Sequence, residues 1–391
     1  MATHNQYQRI ILYKKPLDKK FYISKLQVLE QRVINLKKRL IFALFLILLI
    51  LISGCKGKKD VKKSLEEIRT GTEGIVMSFL PNAPPDKIHV EEGPDNSFEV
   101  VLEVRNKGAY PQPEEGGSPS GKIFLSGFDA NILKFDKDST EEIKGKALDG
   151  KSTINPNGGL DLITFKGNVD FNYLNVEKYE PTIMATVCYH YDTVASPSVC
   201  IDPNPYSTTN EKKVCQVNDI TLSNQGAPIA VTRIDEEAFA KKTQFKITIK
   251  NSGGGDVLDY IAISNCGPKG QKITREDIDK VRLLEAKVGN NPLECGPFIT
   301  KEGSNFRGRS GDFRLINGEG FLICEFTSRE YANNKNAYLT PIKIRLFYGY
   351  RNTAEKKIQI KKETSGLGGG SDTSQPQQSN IQIEEPFEPY E

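Results

Sequence analysis

Residues 183–191 read IMATVCYHY, and residues 342–350 read IKIRLFYGY. In both segments every second residue is apolar or aromatic, and both end in Tyr-x-Tyr. Because side chains along a β-strand alternate between its two faces, this spacing places the apolar set on one buried face. The two segments therefore predict two core strands, with both tyrosines of each segment inside.

These strands belong to a longer internal repeat. A strand ending in Asn-x-Gly occurs at residues 101–108 and again at residues 246–253. A further pair of matching blocks lies at residues 157–165 and 318–326. Blocks that recur in the same order predict two domains of the same fold. The second half is longer between its first two blocks, so it carries an insertion there, in the region of Cys266 and Cys295.

Between residues 74 and 362, short alternating runs are separated by clusters of Gly, Pro, Asn and Asp, without a long helical period. This pattern predicts an all-β fold of sandwiches. A Pro-rich joint at residues 202–205 divides the run. We therefore expect one β-sandwich at residues 74–205 and a second at residues 206–362. Among the predicted strands of the second domain are residues 213–222 and 259–264.

The Asn-x-Gly strand ends at residues 106–108 and 251–253, together with the closing hairpin, resemble the immunoglobulin-like and CARDB-type modules of microbial surface proteins. The resemblance covers roughly residues 75–362. It implies two tandem immunoglobulin-like β-sandwich domains at a cell surface. The Cys…Trp…Cys spacing of antibody domains is absent, since the sequence contains no tryptophan.

An apolar segment precedes these domains. Residues 40–52 are thirteen consecutive apolar residues, fewer than the ~20 that span a bilayer. The next residues complete Ile52-Ser53-Gly54-Cys55, which resembles the lipobox of bacterial lipoproteins. The resemblance implies a signal segment at residues 40–55, with lipid on the Cys55 sulfur and Cys55 as the mature N-terminus. The alternative is an uncleaved single-span transmembrane anchor.

The flanks of this segment indicate its orientation. Residues 1–39 contain ten Lys or Arg residues and two acidic residues. Positive flanks remain in the cytoplasm, so the charge argues for topology and not for nucleic-acid binding. The segment 1–39 is either a cytoplasmic helix or the product of a start codon assigned too early. We expect residues 56–73 to be a tether and residues 363–391 to be a disordered tail.

Cysteine usage predicts three disulfides. Apart from Cys55 the chain has an even number of cysteines, as expected of an exported protein. In the hairpin predicted from residues 182–191 and 198–201, Cys188 and Cys200 lie opposite each other on the outer face, which predicts a bridge between them. The other four allow three pairings, one of which joins Cys266 to Cys295 and Cys215 to Cys324. The six candidates are Cys188, Cys200, Cys215, Cys266, Cys295 and Cys324.

No catalytic pattern is found. The histidines are His4, His89 and His190, and no hydrolase, zinc-protease or phosphate-loop motif occurs. His190 is expected on the exposed face of its strand. Carboxylates cluster between Asp129 and Glu142, but without the spacing of a calcium loop. We therefore predict no enzyme activity, no metal site and no cofactor.

These observations predict a membrane-anchored extracytoplasmic protein at the cell membrane, with its C-terminal domains outside. Its role would be protein interaction, adhesion or envelope structure, with the membrane and an envelope protein as partners. The insertion around Cys266 and Cys295 is the predicted contact site. The alternatives are a lipoprotein that binds a small ligand or carbohydrate, and an accessory subunit of a membrane complex.

Overall fold

A computed structural model describes most of the chain that follows the tether. The described residues are 68–111, 119–145, 147–207, 213–267, 273–300, 305–327 and 336–363. They belong to one compact unit, Lys63–Glu391. The predicted segments 1–39 and 40–55, most of the tether and nearly all of the tail lie outside them. Among the described residues, no helix has the length and apolar character needed to cross a membrane.

The described residues form 22 strands and four short 3₁₀ helices. In the first half the strands are β1 (Ile75–Phe79), β2 (Lys87–Val90), β3 (Ser97–Asn106), β4 (Gly121–Ser126), β5 (Leu133–Phe135), β6 (Thr140–Glu142), β7 (Leu160–Val169), β8 (Lys178–Tyr179), β9 (Thr182–Ala195) and β10 (Ser198–Ile201). In the second half they are β11 (Ile220–Thr221), β12 (Ile229–Phe239), β13 (Lys242–Asn251), β14 (Asp256–Leu258), β15 (Lys280–Val288), β16 (Asn291–Pro292), β17 (Glu294–Ile299), β18 (Asn305–Gly308), β19 (Gly311–Arg314), β20 (Glu319–Phe326), β21 (Tyr338–Lys357) and β22 (Gln359–Lys362). The 3₁₀ helices are Asp136–Ser139, Phe171–Tyr173, Tyr260–Asn265 and Arg275–Asp277.

The strands form sandwich-like layers around a buried core. One sheet has the order β1-β3-β7-β5, and a 15-stranded sheet has the main path β11-β12-β13-β20-β17-β19-β15-β21-β9-β4-β6. A third sheet, β2-β22-β8, takes strands from both halves. The inner faces of β3, β7 and β9 contribute Val104, Ile163 and Ile183 to the same hydrophobic core as residues of the second half. The predicted all-β, sandwich-like fold is confirmed.

The two closing strands of the repeat, β9 and β21, are direct neighbours. They pair antiparallel along fourteen residues. Tyr189 lies opposite Tyr350, Tyr191 opposite Tyr348, and His190 opposite Gly349. His190 and Gly349, which hold matching positions in the predicted repeat, therefore face each other, and each tyrosine faces the counterpart of its neighbouring tyrosine. All four tyrosines are buried, as their spacing predicted. The domain ranges 74–205 and 206–362 stay a prediction.

In both halves the asparagine side-chain oxygen of the Asn-x-Gly motif accepts the same two hydrogen bonds. In the first half, the Tyr191 hydroxyl donates to Asn106 Oδ1 at 2.9 Å, and the Gly108 N–H donates to the same oxygen at 3.1 Å. The second half repeats the two bonds at 3.1 and 3.2 Å with Tyr350, Asn251 and Gly253. Glycine is required here because a Cβ on Gly108 would lie 1.9 Å from the Tyr191 hydroxyl.

Three predicted elements differ from the structure. Residues 259–264, predicted as a strand, form the 3₁₀ helix Tyr260–Asn265, because the Asp259 carboxylate accepts the Ile261 N–H and caps the turn. Of residues 213–222, only Ile220–Thr221 is a strand. The predicted closing hairpin is also wrong: β9 continues to Ala195, and β10 pairs with β21.

Candidate functional site

Three disulfides are present, as predicted, but their pairing differs from the predicted one. They join Cys188 to Cys266, Cys200 to Cys215 and Cys295 to Cys324, with Cα–Cα distances of 6.3, 5.8 and 4.0 Å. The bridges predicted between Cys188 and Cys200, Cys266 and Cys295, and Cys215 and Cys324 are wrong. The physical reason is the missing hairpin, since β10 places Cys200 opposite Leu339 of β21 and away from Cys188.

Residues 254–267 and 273–279 form a cap on β9 and β21, and we call them the insertion. They contain β14 and the 3₁₀ helices Tyr260–Asn265 and Arg275–Asp277. The insertion buries a small cluster of its own, in which Leu258 and Ile263 pack with Phe124 and Cys188. Cys188 is consequently fully buried and not on an outer surface as predicted. The bridge from Cys188 to Cys266 ties the insertion to β9.

His190 lies beneath this cap. Its Nδ1 is 2.8 Å from Ser120 Oγ, and its Nε2 is 2.8 Å from the Tyr260 carbonyl oxygen. Because a carbonyl only accepts, Nε2 carries a proton and donates it to the Tyr260 oxygen. The ring also stacks on Phe347, with centroids 5.6 Å apart. His190 was predicted on an exposed face, whereas in the structure it is half-buried, with Nε2 bonded to the insertion and Nδ1 bonded to Ser120.

The insertion forms one wall of a cleft of about 340 Å³, which we call the insertion cleft. Its other walls come from β15, the end of β17, β18 and the start of β19. Lys280 and Arg282 project from β15, Asp259 from the insertion and Asp312 from β19. Of its lining residues, only Lys280 and Arg282 fall between Cys266 and Cys295, the region that the sequence singled out as the contact site.

The charges of the insertion cleft are paired with one another. The Arg282 guanidinium donates to Asp312 at 2.6 and 2.9 Å, and its carbon lies 4.5 Å from the centre of the Tyr260 ring. The hydrogen bonds that Arg282 donates to Asp312 raise the pKa of Arg282. Lys280 donates to Asp259 at 2.7 Å. These contacts fix the positions of the four charged groups before any partner arrives.

Apolar side chains flank these ion pairs. Ile261 is 57% exposed and Phe306 is 41% exposed, and Phe306 packs against the buried Phe298. Exposed apolar groups beside an oriented arginine are typical of residues that anchor a binding partner. Among the described residues that line the cleft, Thr300 and Ser310 supply hydroxyl groups, and none is a histidine or cysteine. The arrangement is suited to binding.

The other candidate residues lie apart from the cleft. Asp129 accepts the Asn131 backbone N–H at 2.8 Å, and Glu141 pairs with Lys137. His89 lies on β2, where its Nδ1 is 2.5 Å from Glu363 Oε1. In the part of the chain that the structure describes, no three His, Cys, Asp or Glu side chains are arranged to hold a metal ion. Cys55 and His4 fall outside that part.

Sequence reasoning missed the polar residues of the insertion cleft. Arg282 and Asp312 lie on strands separated along the chain, and no motif marks either of them. They meet because β15 pairs with β19, which places Arg282 directly opposite Asp312. The only available signal was the alternation of β15, which assigns Arg282 to the face opposite Val281 and Leu283.

Comparisons with known proteins add little. No protein-family model matches the chain, and no curated protein matches it. One solved structure that aligns with it is the collagen binding domain of Erysipelothrix rhusiopathiae surface protein RspB. The identity is 10%, the alignment covers 74% of this chain and 97% of that one, and the TM-score is 0.11. Such a TM-score does not indicate a common fold, so function is argued from this chain's own residues.

Proposed function

We propose that this chain is an extracytoplasmic protein, anchored to the cell membrane, that binds an envelope protein through the insertion cleft. The observation that carries the proposal is the exposed pair Ile261 and Phe306 beside the fixed guanidinium of Arg282. Apolar anchors next to a preorganised arginine bind a partner at a low entropic cost, because little side-chain freedom remains to be lost.

Cysteine chemistry supports a location outside the cytoplasm. All six cysteines among the described residues are in disulfides. Disulfides form and persist in oxidising compartments and are rare in the cytosol. The lipobox-like residues Ile52 to Cys55 and the basic flank before them are consistent with export and anchoring. The anchor itself is proposed from these sequence features.

The anchor is tested by mass spectrometry of the mature N-terminus from the native membrane fraction. A lipidated peptide that begins at Cys55 would establish a lipoprotein. An intact peptide from residues 1–32 would establish the single-span alternative and direct attention to cytoplasmic contacts of residues 1–39. Recovery of the chain in the soluble cytoplasmic fraction would contradict the proposal.

The contact site is tested by substitution at its exposed apolar residues. Deletion of residues 267–294 is unsuitable as a test, because it removes all of β15, a strand that pairs with β21. We propose the double variant I261S/F306S, with I316S/F321S as the matched control. Ile316 and Phe321 are 74% and 49% exposed and do not line the cleft.

Both variants are compared with the native protein by cross-linking in intact cells and quantitative identification of the linked proteins. We expect at least one envelope protein to be lost from I261S/F306S and retained by I316S/F321S. An unchanged set of linked proteins in I261S/F306S, or an equal loss in the control, would refute the cleft as the contact site.

Binding of a carbohydrate is the second candidate. The exposed ring of Phe306 and the hydrogen-bonding pair Arg282 and Asp312 line the same cleft, an arrangement that suits a sugar ring with its hydroxyl groups. A glycan array probed with the full chain separates the two readings. Glycan binding that F306S abolishes would support the carbohydrate as the ligand of the cleft. Absence of binding to every glycan would favour an envelope protein as the ligand.

A further inference from the structure

A second pocket, of about 420 Å³, lies among residues that flank the bridge between Cys200 and Cys215. We call it the Glu236 pocket. One wall is the end of β12, from Glu236 to Phe239, and the other is formed by residues on both sides of Cys215. It shares no lining residue with the insertion cleft.

Glu236 is a buried carboxylate with one unused oxygen. It is only 5% exposed, because alternation along β12 assigns it to the inner face that also carries Ile234. Its Oε2 accepts the Cys200 N–H at 3.2 Å. Its Oε1 is buried and has no hydrogen-bond partner among the described residues. A buried polar atom without a partner costs free energy, so its retention at a pocket points to a ligand that supplies the donor.

The remaining charges of the pocket do not neutralise Glu236. Lys213 is the cationic residue among the described lining residues, and its ammonium group pairs with Asp202 at 2.5 Å. Glu237 adds a further, exposed carboxylate at the rim. Among the described lining residues, three carboxylates and one ammonium group leave a net negative charge, which favours a cation as the donor to Oε1.

The rest of the lining indicates what kind of cation fits. Apolar side chains form much of the wall, namely Pro205, Val217, Ala238 and Phe239. A metal ion is a poor match, since no group of three ligating side chains is found among the described residues. An ammonium group on an aliphatic stem satisfies both parts of the site, because the stem covers apolar surface while the head binds a carboxylate.

We propose that the Glu236 pocket binds an alkylammonium group, which donates to Oε1 of Glu236 while its methylene groups lie against Val217 and Phe239. The group comes either from a free alkylamine or from a lysine side chain of another protein. This inference is independent of the insertion cleft and of the proposed membrane anchor. It would stand if either of those proposals failed.

The test uses the full chain in detergent micelles and isothermal titration with two probes, cadaverine and an acetylated, amidated Gly-Lys-Gly peptide. Measurements at about pH 8 keep Glu236 ionised and both probes cationic. Binding of both probes with similar affinity assigns a free alkylamine. Binding of the peptide alone assigns a lysine side chain. Binding of neither probe overturns the proposal.

Two variants test whether Glu236 is responsible for binding of the probes. E236Q keeps an oxygen for the Cys200 N–H and removes the charge, and we expect it to weaken binding by about tenfold or more. E99Q removes an exposed carboxylate of β3 and should bind as the native protein does. Equal affinity of E236Q and the native chain would overturn the proposal. As a check that does not depend on folding of a variant, pentanol, the uncharged analogue, should not bind the native protein.

Discussion

At the scale of single residues, Asn106 and Asn251 hold matching positions in the predicted repeat and make similar hydrogen bonds. Each side-chain oxygen accepts both a tyrosine hydroxyl and a glycine N–H. Their amide groups differ, because Asn106 Nδ2 donates to the carbonyls of Tyr110 and Leu148, whereas Asn251 Nδ2 donates to Gly255. Asn106 is fully buried and Asn251 is half-buried.

This difference predicts unequal effects of the same substitution. N106A leaves several buried groups without partners and should lower the free energy of unfolding by about 3 kcal/mol, whereas N251A should lower it by about 1.5 kcal/mol. Urea unfolding of both variants measures the two losses. An equal or larger decrease in the free energy of unfolding for N251A would show that burial of the asparagine does not determine its contribution to stability.

Glu236 predicts a specific dependence of stability on pH. Burial raises its pKa from 4.5 to about 7, so the native state keeps a proton that the unfolded chain has released. Stability therefore falls as pH rises through this interval and levels off above it, with a total change of up to about 3 kcal/mol. The neighbouring charges in the pocket are Asp202, Lys213 and Glu237.

The glutamine of E236Q cannot titrate, so this variant should not show the loss of stability that deprotonation of Glu236 causes. It should therefore become more stable relative to the native chain as the pH increases. Urea unfolding at several pH values between about 5 and 8 measures the difference. E99Q should keep the native slope, since Glu99 is exposed. A constant difference in stability between E236Q and the native chain across that range would contradict the assignment.

At the scale of elements, sequence alternation predicted strands well and their partners poorly. The predicted strand at residues 198–201 coincides with β10, and the core faces of β9 and β21 follow their period-2 spacing. The predicted pairing of β10 with β9 was wrong, because the partner of β10 is β21, from the other half of the chain. Pairing across halves leaves no local signal, so the disulfide pairing that rested on a local hairpin failed with it.

The candidate site was predicted only in outline. The unequal spacing of the repeat predicted an insertion between residues 253 and 318, and the described cap residues 254–267 and 273–279 lie in that interval. The contacts of the insertion with His190 and Phe347 follow from the packing of the 3₁₀ helix Tyr260–Asn265 on β9 and β21. Such contacts depend on three-dimensional packing, which residue spacing does not reveal. The unused oxygen of Glu236 was missed because β12 itself was not predicted.

The bridges should contribute unequally to stability. The bridge between Cys188 and Cys266 spans 78 residues, and the bridge between Cys200 and Cys215 spans 15. Loop entropy predicts that C188A/C266A loses about 4.5 kcal/mol and C200A/C215A about 3 kcal/mol. Urea unfolding gives both values, and limited proteolysis should show cleavage within residues 254–279 in C188A/C266A alone. An uncut insertion in that variant would show that packing suffices to hold it.

At the scale of the whole molecule, the two halves share structure. The fourteen paired positions of β9 and β21 cross between them, and one hydrophobic core contains residues of both. The third sheet adds β2 and β8 of the first half on either side of β22. The halves are therefore coupled through both hydrogen bonds and apolar burial.

This coupling predicts a single cooperative unfolding transition. Fluorescence and circular dichroism should report the same midpoint in urea, because neither half can lose β9 or β21 without exposing the core of the other. Two resolved transitions, or midpoints that differ between the two probes, would show that each half is stable alone.

We propose that this disulfide-braced β-protein is exported, and a disulfide map of the native chain tests the proposal. Thiols are blocked at cell lysis, and peptides from the membrane fraction are identified without reduction. We predict linked peptides that join Cys188 to Cys266, Cys200 to Cys215 and Cys295 to Cys324. Recovery of these six cysteines as blocked free thiols would place the domains in a reducing compartment and contradict the proposed export.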